Sequence, residues 1–93
     1  MRVIQSPSFA KKVKKLPKSQ KEHLDCQIRS IVSDPEIDQE KKGDLKGVFV
    51  HKFKIVDLQY LLAYRLKKDI LELIMLGPHE NYYRDLKSYI KHR

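Results

Sequence analysis

The chain has 93 residues, of which 41% are hydrophobic and 34% are charged, and only three are glycine. These values are typical of one globular domain with one core, so residues 1–93 are expected to form a single domain. No apolar stretch is long enough to cross a bilayer and the N-terminus lacks the apolar region of a signal peptide, which predicts a cytoplasmic protein without a membrane partner. Cys26 is the one cysteine, so no internal disulfide can form, and we expect it in the core.

The charge predicts a polyanionic partner. Twenty lysines and arginines against twelve acids give a net charge of +8. Such a charge favours nucleic acid, an acidic protein segment or an anionic membrane surface, and in so small a domain we favour nucleic acid. No acid occurs before Glu22, and this basic stretch contains Lys11 and Lys12, which are candidate phosphate contacts. A solvated lysine-rich helix face is the alternative.

The first half of the chain predicts a short strand and a helical hairpin. Residues 3–5 form an extended start, and Ser6 followed by a proline is typical of a helix N-cap. Pro17 interrupts the helical pattern, and the second helix ends at Pro35. Residues 34–47 have no periodicity and are expected to form a mobile loop.

From Val48 the hydrophobic period changes to two, which predicts strands. Turn-like segments at residues 56–58 and 67–69 divide this region into three strands, joined by linkers too short for a crossover helix. Gly77 and Pro78 end the last strand, and a final amphipathic helix follows. The order β-α-α-β-β-β-α predicts an α+β fold in which the helical hairpin packs on one face of an antiparallel sheet and the other face is partly open.

Four cations fall on one side of the predicted strands. Alternation places Lys52 and Lys54 on one face of the second strand, and Arg65 and Lys67 on one face of the third. Because like charges repel, a cluster of all four indicates phosphate binding, with solubility as the alternative. Arg65 is the best suited of the four, since a guanidinium group can bind a phosphate through two parallel hydrogen bonds.

The segment after the last strand, GPHENYYRDL, is rich in functional side chains. His79 is suited to give or take a proton near neutral pH, and Tyr83, one helical turn on, could stack on an unpaired base. Arg84 is a further candidate phosphate contact. The alternative is that His79 caps the last helix while Tyr83 packs in the core. His51 alternates with buried positions, so we expect a hydrogen-bonded histidine at the core edge.

These residues suit RNA cleavage without a metal. In that reaction the 2′-hydroxyl group attacks the adjacent phosphorus, while the protein orients the strand, offsets the charge on the phosphate and protonates the leaving oxygen. DNA lacks the 2′-hydroxyl group and would not be cut in this way. The sequence contains no glycine-rich phosphate loop, paired cysteines or zinc-binding motif, so no cofactor and no metal are predicted.

Three segments carry a resemblance to a known family: residues 45–47 (LKG), 60–65 (YLLAYR) and 77–86 (GPHENYYRDL). With the order of the elements, they resemble the RelE/ParE superfamily of bacterial type II toxin–antitoxin toxins over essentially the whole chain. The resemblance implies a small basic toxin that is held inactive by a cognate antitoxin in a hetero-oligomer. In the RelE and YafQ branches, it implies an endoribonuclease that cleaves mRNA on the ribosome.

The resemblance also implies roles for individual residues. Lys52 and Lys54 are similar to the phosphate-contacting lysines of the RelE branch. His79 is similar to the proton-donating histidine or arginine of these ribonucleases, and Tyr83 lies where a YafQ-like protein has its aromatic residue.

One position departs from the RelE pattern. Leu61 stands where RelE-like enzymes usually carry an arginine, and Arg65, on the same strand face, is a candidate substitute. Two other functions stay open. The ParE branch shares the fold and inhibits DNA gyrase without cutting RNA, and a third possibility is a non-catalytic basic module that binds RNA or an acidic protein.

Overall fold

The computed structural model describes residues 2–34 and 36–92. Its elements are β1 (Arg2–Gln5), α1 (Pro7–Lys14), α2 (Lys18–Ser33), a 3₁₀ turn (Gly43–Leu45), β2 (Phe49–Ile55), β3 (Leu58–Lys67), β4 (Ile70–Pro78) and α3 (Tyr82–Lys91). The predicted α+β fold and the order of its elements are confirmed. The part predicted for Pro35 in ending α2 lies outside the described residues. None of the described helices is long and apolar enough to cross a membrane.

Local chemistry explains where α1 and α3 begin. The hydroxyl oxygen of Ser6 accepts a hydrogen bond from the backbone N–H of Phe9 at 3.1 Å, and Pro7 occupies the first helical position. α3 follows Asn81, whose backbone is left-handed with φ 58°. Asparagine is enriched in this conformation. The sharp turn at Asn81 directs α3 back across the sheet.

The four strands lie in the order β1-β4-β3-β2. The antiparallel pairing of β2 with β3 and of β3 with β4 is confirmed. The sheet as a whole is mixed rather than antiparallel, because β1 pairs with β4 in parallel, from Arg2 opposite Ile70 to Gln5 opposite Leu73. The long chain between β1 and β4 permits a parallel pair, which the short linkers between the later strands do not.

Each face of the sheet has its own apolar cluster. On the face covered by the helical hairpin, the buried side chains are Phe9, Leu16, Leu24, Ile31, Phe53, Ile55, Leu62, Tyr64, Leu71, Leu73 and Leu76. On the other, which we call the α3 face, they are Leu45, Val48, Val50, Leu61, Ala63, Ile74, Tyr82 and Leu86. The face expected to be partly open is therefore covered by α3 along its middle, and only its two ends are accessible.

Cys26 is exposed on α2, so its expected burial is wrong. α2 buries Leu24 and Ile31 against the sheet. A residue two positions beyond Leu24 lies about 200° around the helix, which places Cys26 on the solvent side.

Candidate functional site

The candidate site lies at the end of the sheet where β4 stops. The backbone N–H of His79 donates to the carbonyl oxygen of Gln59 at 3.3 Å, which extends the β3–β4 pairing past the end of β4. In the β2–β3 register Lys54 is opposite the same Gln59. Because neighbouring strands are about 4.8 Å apart, the backbones of Lys54 and His79 are about 10 Å apart on either side of β3. Lys52 lies two residues earlier in β2 and faces the same way.

His79 and Tyr83 are in contact, although His79 precedes α3 and does not share a helical turn with Tyr83 as expected. Their ring centroids are 6.4 Å apart and the rings meet edge to face, at 84°. The His79 side chain is exposed, whereas Tyr83 is half-buried at the margin of the α3 cluster. Both rings are therefore accessible to a ligand at this end of the sheet, and His79 is not turned into the core.

Tyr82 fixes the start of α3 on β4. Its hydroxyl group donates to the carbonyl oxygen of Met75 at 2.6 Å, and its ring packs on Gly77, where an added Cβ would lie 3.4 Å from the ring. Tyr82 is 3% exposed, and burial raises the pKa of its phenol, which therefore stays protonated as the donor. Its ring meets that of Tyr83 at 5.8 Å. These contacts hold the start of α3 against β4 and so position the His79–Tyr83 pair.

Lys11 and Lys12 lie on the other flank of the same strand end. With other side chains of α1 they line a groove of about 310 Å³ that has the end of β4 as its floor. Glu80 and Asp85 line this groove as well. Arg84, in the first turn of α3, is exposed, and its Nε is 3.6 Å from the Asp85 carboxylate. The predicted cations of α1 and α3 thus border the site, together with two acids.

Arg65 and Lys67 lie elsewhere. Arg65 is opposite Glu72 in the β3–β4 register, with 3.9 Å between Nη1 and the carboxylate, and Lys67 is opposite Ile70. Lys52 is opposite Leu61, which lies four residues before Arg65 in β3, or about 13 Å away along the strand. The expectation that four cations form one cluster is wrong, because they share a face but sit at its opposite ends.

A buried polar network ties the loop before β2 to the sheet. His51 donates from Nδ1 to Asp38 at 2.8 Å, and its Nε2 is 2.9 Å from Oε1 of Gln27. The Tyr64 hydroxyl group donates to the same carboxylate oxygen at 3.0 Å. Burial, and then the negative charge of Asp38, raises the pKa of the Tyr64 phenol. His51 is therefore the hydrogen-bonded histidine that its alternation predicts, and the loop expected to be mobile is anchored at Asp38.

The same loop brings a lysine to the site that the sequence analysis missed. Lys41 Nζ lies 5.3 Å from the centroid of the Tyr83 ring, within the range of a cation–π contact. The residues between α2 and β2 have no periodicity, so no local signal in the sequence points from Lys41 to α3.

Residues 3–87 match the family model of a ParE-like toxin of type II bacterial toxin–antitoxin systems. The chain belongs to this family. This match confirms the resemblance to the RelE/ParE superfamily of toxins. A comparison with curated proteins finds no match.

Three solved structures illustrate the shared fold of this toxin family. A mutant of the Escherichia coli toxin RelE in the free state has a TM-score of 0.73 at 17% identity, over 98% of this chain and 95% of that one. The YoeB/ParE toxin from Agrobacterium tumefaciens has a TM-score of 0.70 at 19% identity, over 85% and 99%. The intact E. coli RelBE toxin–antitoxin complex matches with a TM-score of 0.68 at 20% identity, over 85% and 96%.

Within this toxin fold, Leu61 is a structural residue. It is fully buried on the α3 face, in the cluster that contains Tyr82 and Leu86. Arg65 is four residues farther along β3, beside Glu72. A side chain at Arg65 therefore does not replace a cation at Leu61, and positive charge near His79 has to come from other residues.

Proposed function

We propose that this toxin is an endoribonuclease that cleaves mRNA on the ribosome, with the 2′-hydroxyl group of the RNA as nucleophile. The observation that supports this most directly is the exposed ring of His79 beside Tyr83 at the end of the sheet, across β3 from Lys54. This end combines a proton donor, an aromatic surface and cations, which are the groups that the reaction needs.

Each side chain has a separate task in this reaction. The 2′-hydroxyl group loses its proton to water as its oxygen attacks the adjacent phosphorus, and the bond to the 5′-oxygen breaks, which leaves a 2′,3′-cyclic phosphate. His79 donates the proton that the leaving 5′-oxygen takes up. Lys52 and Lys54 bind phosphate oxygens and offset the charge that develops there. Tyr83 stacks on a base and so holds the strand in place, while Lys11, Lys12 and Arg84 contact RNA around the site.

The test is cleavage of mRNA by the purified protein on translating ribosomes, with the cut sites mapped by primer extension. His79→Ala should lower the cleavage rate by ~10²-fold or more, since a positioned general acid contributes at least that much. His92→Ala is the matched control, because His92 is also exposed but lies at the far end of α3. Equal rates for wild type and His79→Ala would remove His79 from the mechanism.

Inhibition of DNA gyrase without RNA cleavage is the second candidate function. Two observations favour it: the family that matches is described as ParE-like, and an apolar Leu61 fills the position of the usual arginine. A gyrase supercoiling assay separates the candidates. Inhibited supercoiling with intact mRNA would establish gyrase as the target. Normal supercoiling with intact mRNA would favour a basic module that only binds RNA or protein.

We also propose that a cognate antitoxin binds this toxin. The RelBE structure, which shares the fold, is a complex of a toxin with its antitoxin. A net charge of +8 favours an acidic or amphipathic segment that covers the basic surface or displaces α3. Co-purification with the product of a short adjacent gene would test this partner.

A further inference from the structure

The loop between α2 and β2 reaches the candidate site through Lys41. Its Nζ lies 5.3 Å from the centroid of the Tyr83 ring, the ring that also meets His79. We propose that Lys41 is a further substrate-contacting residue, whose ammonium group binds a phosphate of the RNA strand beside the base stacked on Tyr83. The inference rests on the proposed RNA substrate, but it concerns binding and does not require that His79 cleaves.

The backbone of Lys41 is held against β2. Its N–H donates to the carbonyl oxygen of Val48 at 2.8 Å, and the preceding residue, Glu40, forms an antiparallel bridge with Phe49. This register places Lys41 level with Val48, whose side chain is buried on the α3 face. The lysine side chain therefore projects on the same face as Lys52, along the outer edge of β2.

A second anchor lies just before this bridge, at Asp38. Its carboxylate accepts hydrogen bonds from His51 at 2.8 Å and from the hydroxyl group of Tyr64 at 3.0 Å. The two donors belong to β2 and β3, and Tyr64 is fully buried. A loop held at two points loses less conformational entropy when it binds a ligand than a free loop does. Lys41 is thus presented to the Tyr83 ring by a preorganised segment.

Lys41 supplies a positive charge beside Tyr83 that neither Leu61 nor Arg65 provides. Leu61 contributes no cation and Arg65 is drawn to Glu72 at the opposite end of the face. A phosphate beside His79 and Tyr83 is negatively charged and gains charge during cleavage, so nearby ammonium groups stabilise it. Lys41 reaches the Tyr83 side of the site, and Lys54 approaches the His79 side from across β3.

The test compares Lys41→Ala with Lys42→Ala, which removes the same charge from the same loop at an exposed position. The probe is an RNA trinucleotide with a 2′-deoxy sugar at the central nucleotide, which cannot be cut there. In an NMR titration the ring protons of Tyr83 should shift in the wild-type protein. Lys41→Ala should weaken binding about tenfold and reduce the slope of log K against log salt by about 0.7, the value for one phosphate contact on a single strand. Lys42→Ala should stay within about twofold, and Lys41→Arg should retain most of the affinity.

A parallel measurement of mRNA cleavage separates this inference from the proposed function. Equal effects of Lys41→Ala and Lys42→Ala on trinucleotide binding would overturn the Lys41 inference, even if His79 proves essential for cleavage. The absence of any trinucleotide binding by the wild-type protein would overturn it as well. If the wild-type protein cuts no mRNA but Lys41→Ala selectively weakens binding, the inference stands and the cleavage proposal fails. Superimposable NMR spectra of the free variants, away from the loop, would exclude misfolding as the cause.

Discussion

The two ends of the α3 face both carry cations, but they differ in the residues that lie opposite those cations. At one end Arg65 faces Glu72 at 3.9 Å, so its charge is compensated within the sheet. At the other end Lys52 and Lys54 lie opposite Leu61 and Gln59, which carry no charge. The end with Lys52 and Lys54 is also the one where β4 stops and α3 begins. Cations that share one face of the sheet therefore need not lie close together, since the register of the strands decides which charges meet.

The strongest test of this comparison removes two positive charges at one end in one variant and two at the other end in a second variant. If the proposed cleavage takes place, the double variant Lys52→Ala and Lys54→Ala should lower the rate of mRNA cleavage by ~10²-fold or more, because the proposed mechanism uses these two cations to bind the scissile phosphate. The matched double variant, Arg65→Ala and Lys67→Ala, should change the rate by less than about threefold. Cleavage rates on translating ribosomes, measured with saturating protein, check both numbers. Similar losses for the two double variants would show that overall charge, and not its position, determines activity.

The next test concerns how α3 is attached at the His79 end. Tyr82→Phe removes the donor to the Met75 carbonyl oxygen and leaves that part-buried acceptor without this hydrogen bond, which should reduce the free energy of unfolding by about 1.5 kcal/mol. Tyr64→Phe, on the other face, is the control. It should cost about 1 kcal/mol, because the Asp38 carboxylate keeps its bond with His51. Urea unfolding at neutral pH measures both values. A larger loss for Tyr64→Phe would show that the Tyr82 hydrogen bond is not the stronger of the two.

Tyr82→Phe should also change how the free energy of unfolding depends on pH. Burial raises the pKa of the Tyr82 phenol above its ordinary value of 10.0, so the folded protein holds this proton more tightly than the unfolded chain. The stabilisation is complete below pH 10 and is lost as the pH rises further, by about 1.4 kcal/mol per pH unit. Tyr82→Phe lacks this contribution, so its unfolding free energy should fall less steeply between pH 10 and 11 than that of the wild type.

Much of this fold follows from local patterns in the sequence. The period of two and the turn residues predict β2, β3, β4 and their antiparallel pairing, and alternation correctly assigns the four cations to one face. Alternation carries no information about position along that face, so it does not separate Arg65 from Lys52. The contact between His79 and Tyr83 is as expected, but the helical reason for it is wrong, because His79 precedes α3 and Asn81 between them is left-handed.

The features that escaped the sequence analysis depend on contacts between distant segments. The parallel pairing of β1 with β4 joins residues about 70 positions apart, and the bond from Asp38 to Tyr64 joins the loop to a strand across the core. Lys41 reaches Tyr83 only because that loop pairs with β2. A pattern within one segment cannot encode such pairings, since each depends on the register of two elements.

The smallest expected effect comes from the two hairpin turns, which lie at opposite ends of the same face. Val56, next to the His79 end, has φ 58°, and Lys68, next to the Arg65 end, has φ 55°. Left-handed backbone is unfavourable for both residues, and more so for a β-branched valine. Val56→Asn should therefore raise the unfolding free energy by about 1 kcal/mol, while Lys68→Asn should raise it by about 0.5 kcal/mol, since asparagine tolerates this conformation. Val56 is 80% exposed, so the change removes little packing. A loss of stability in Val56→Asn would mean that the valine side chain makes contacts at this end that outweigh the cost of its left-handed backbone.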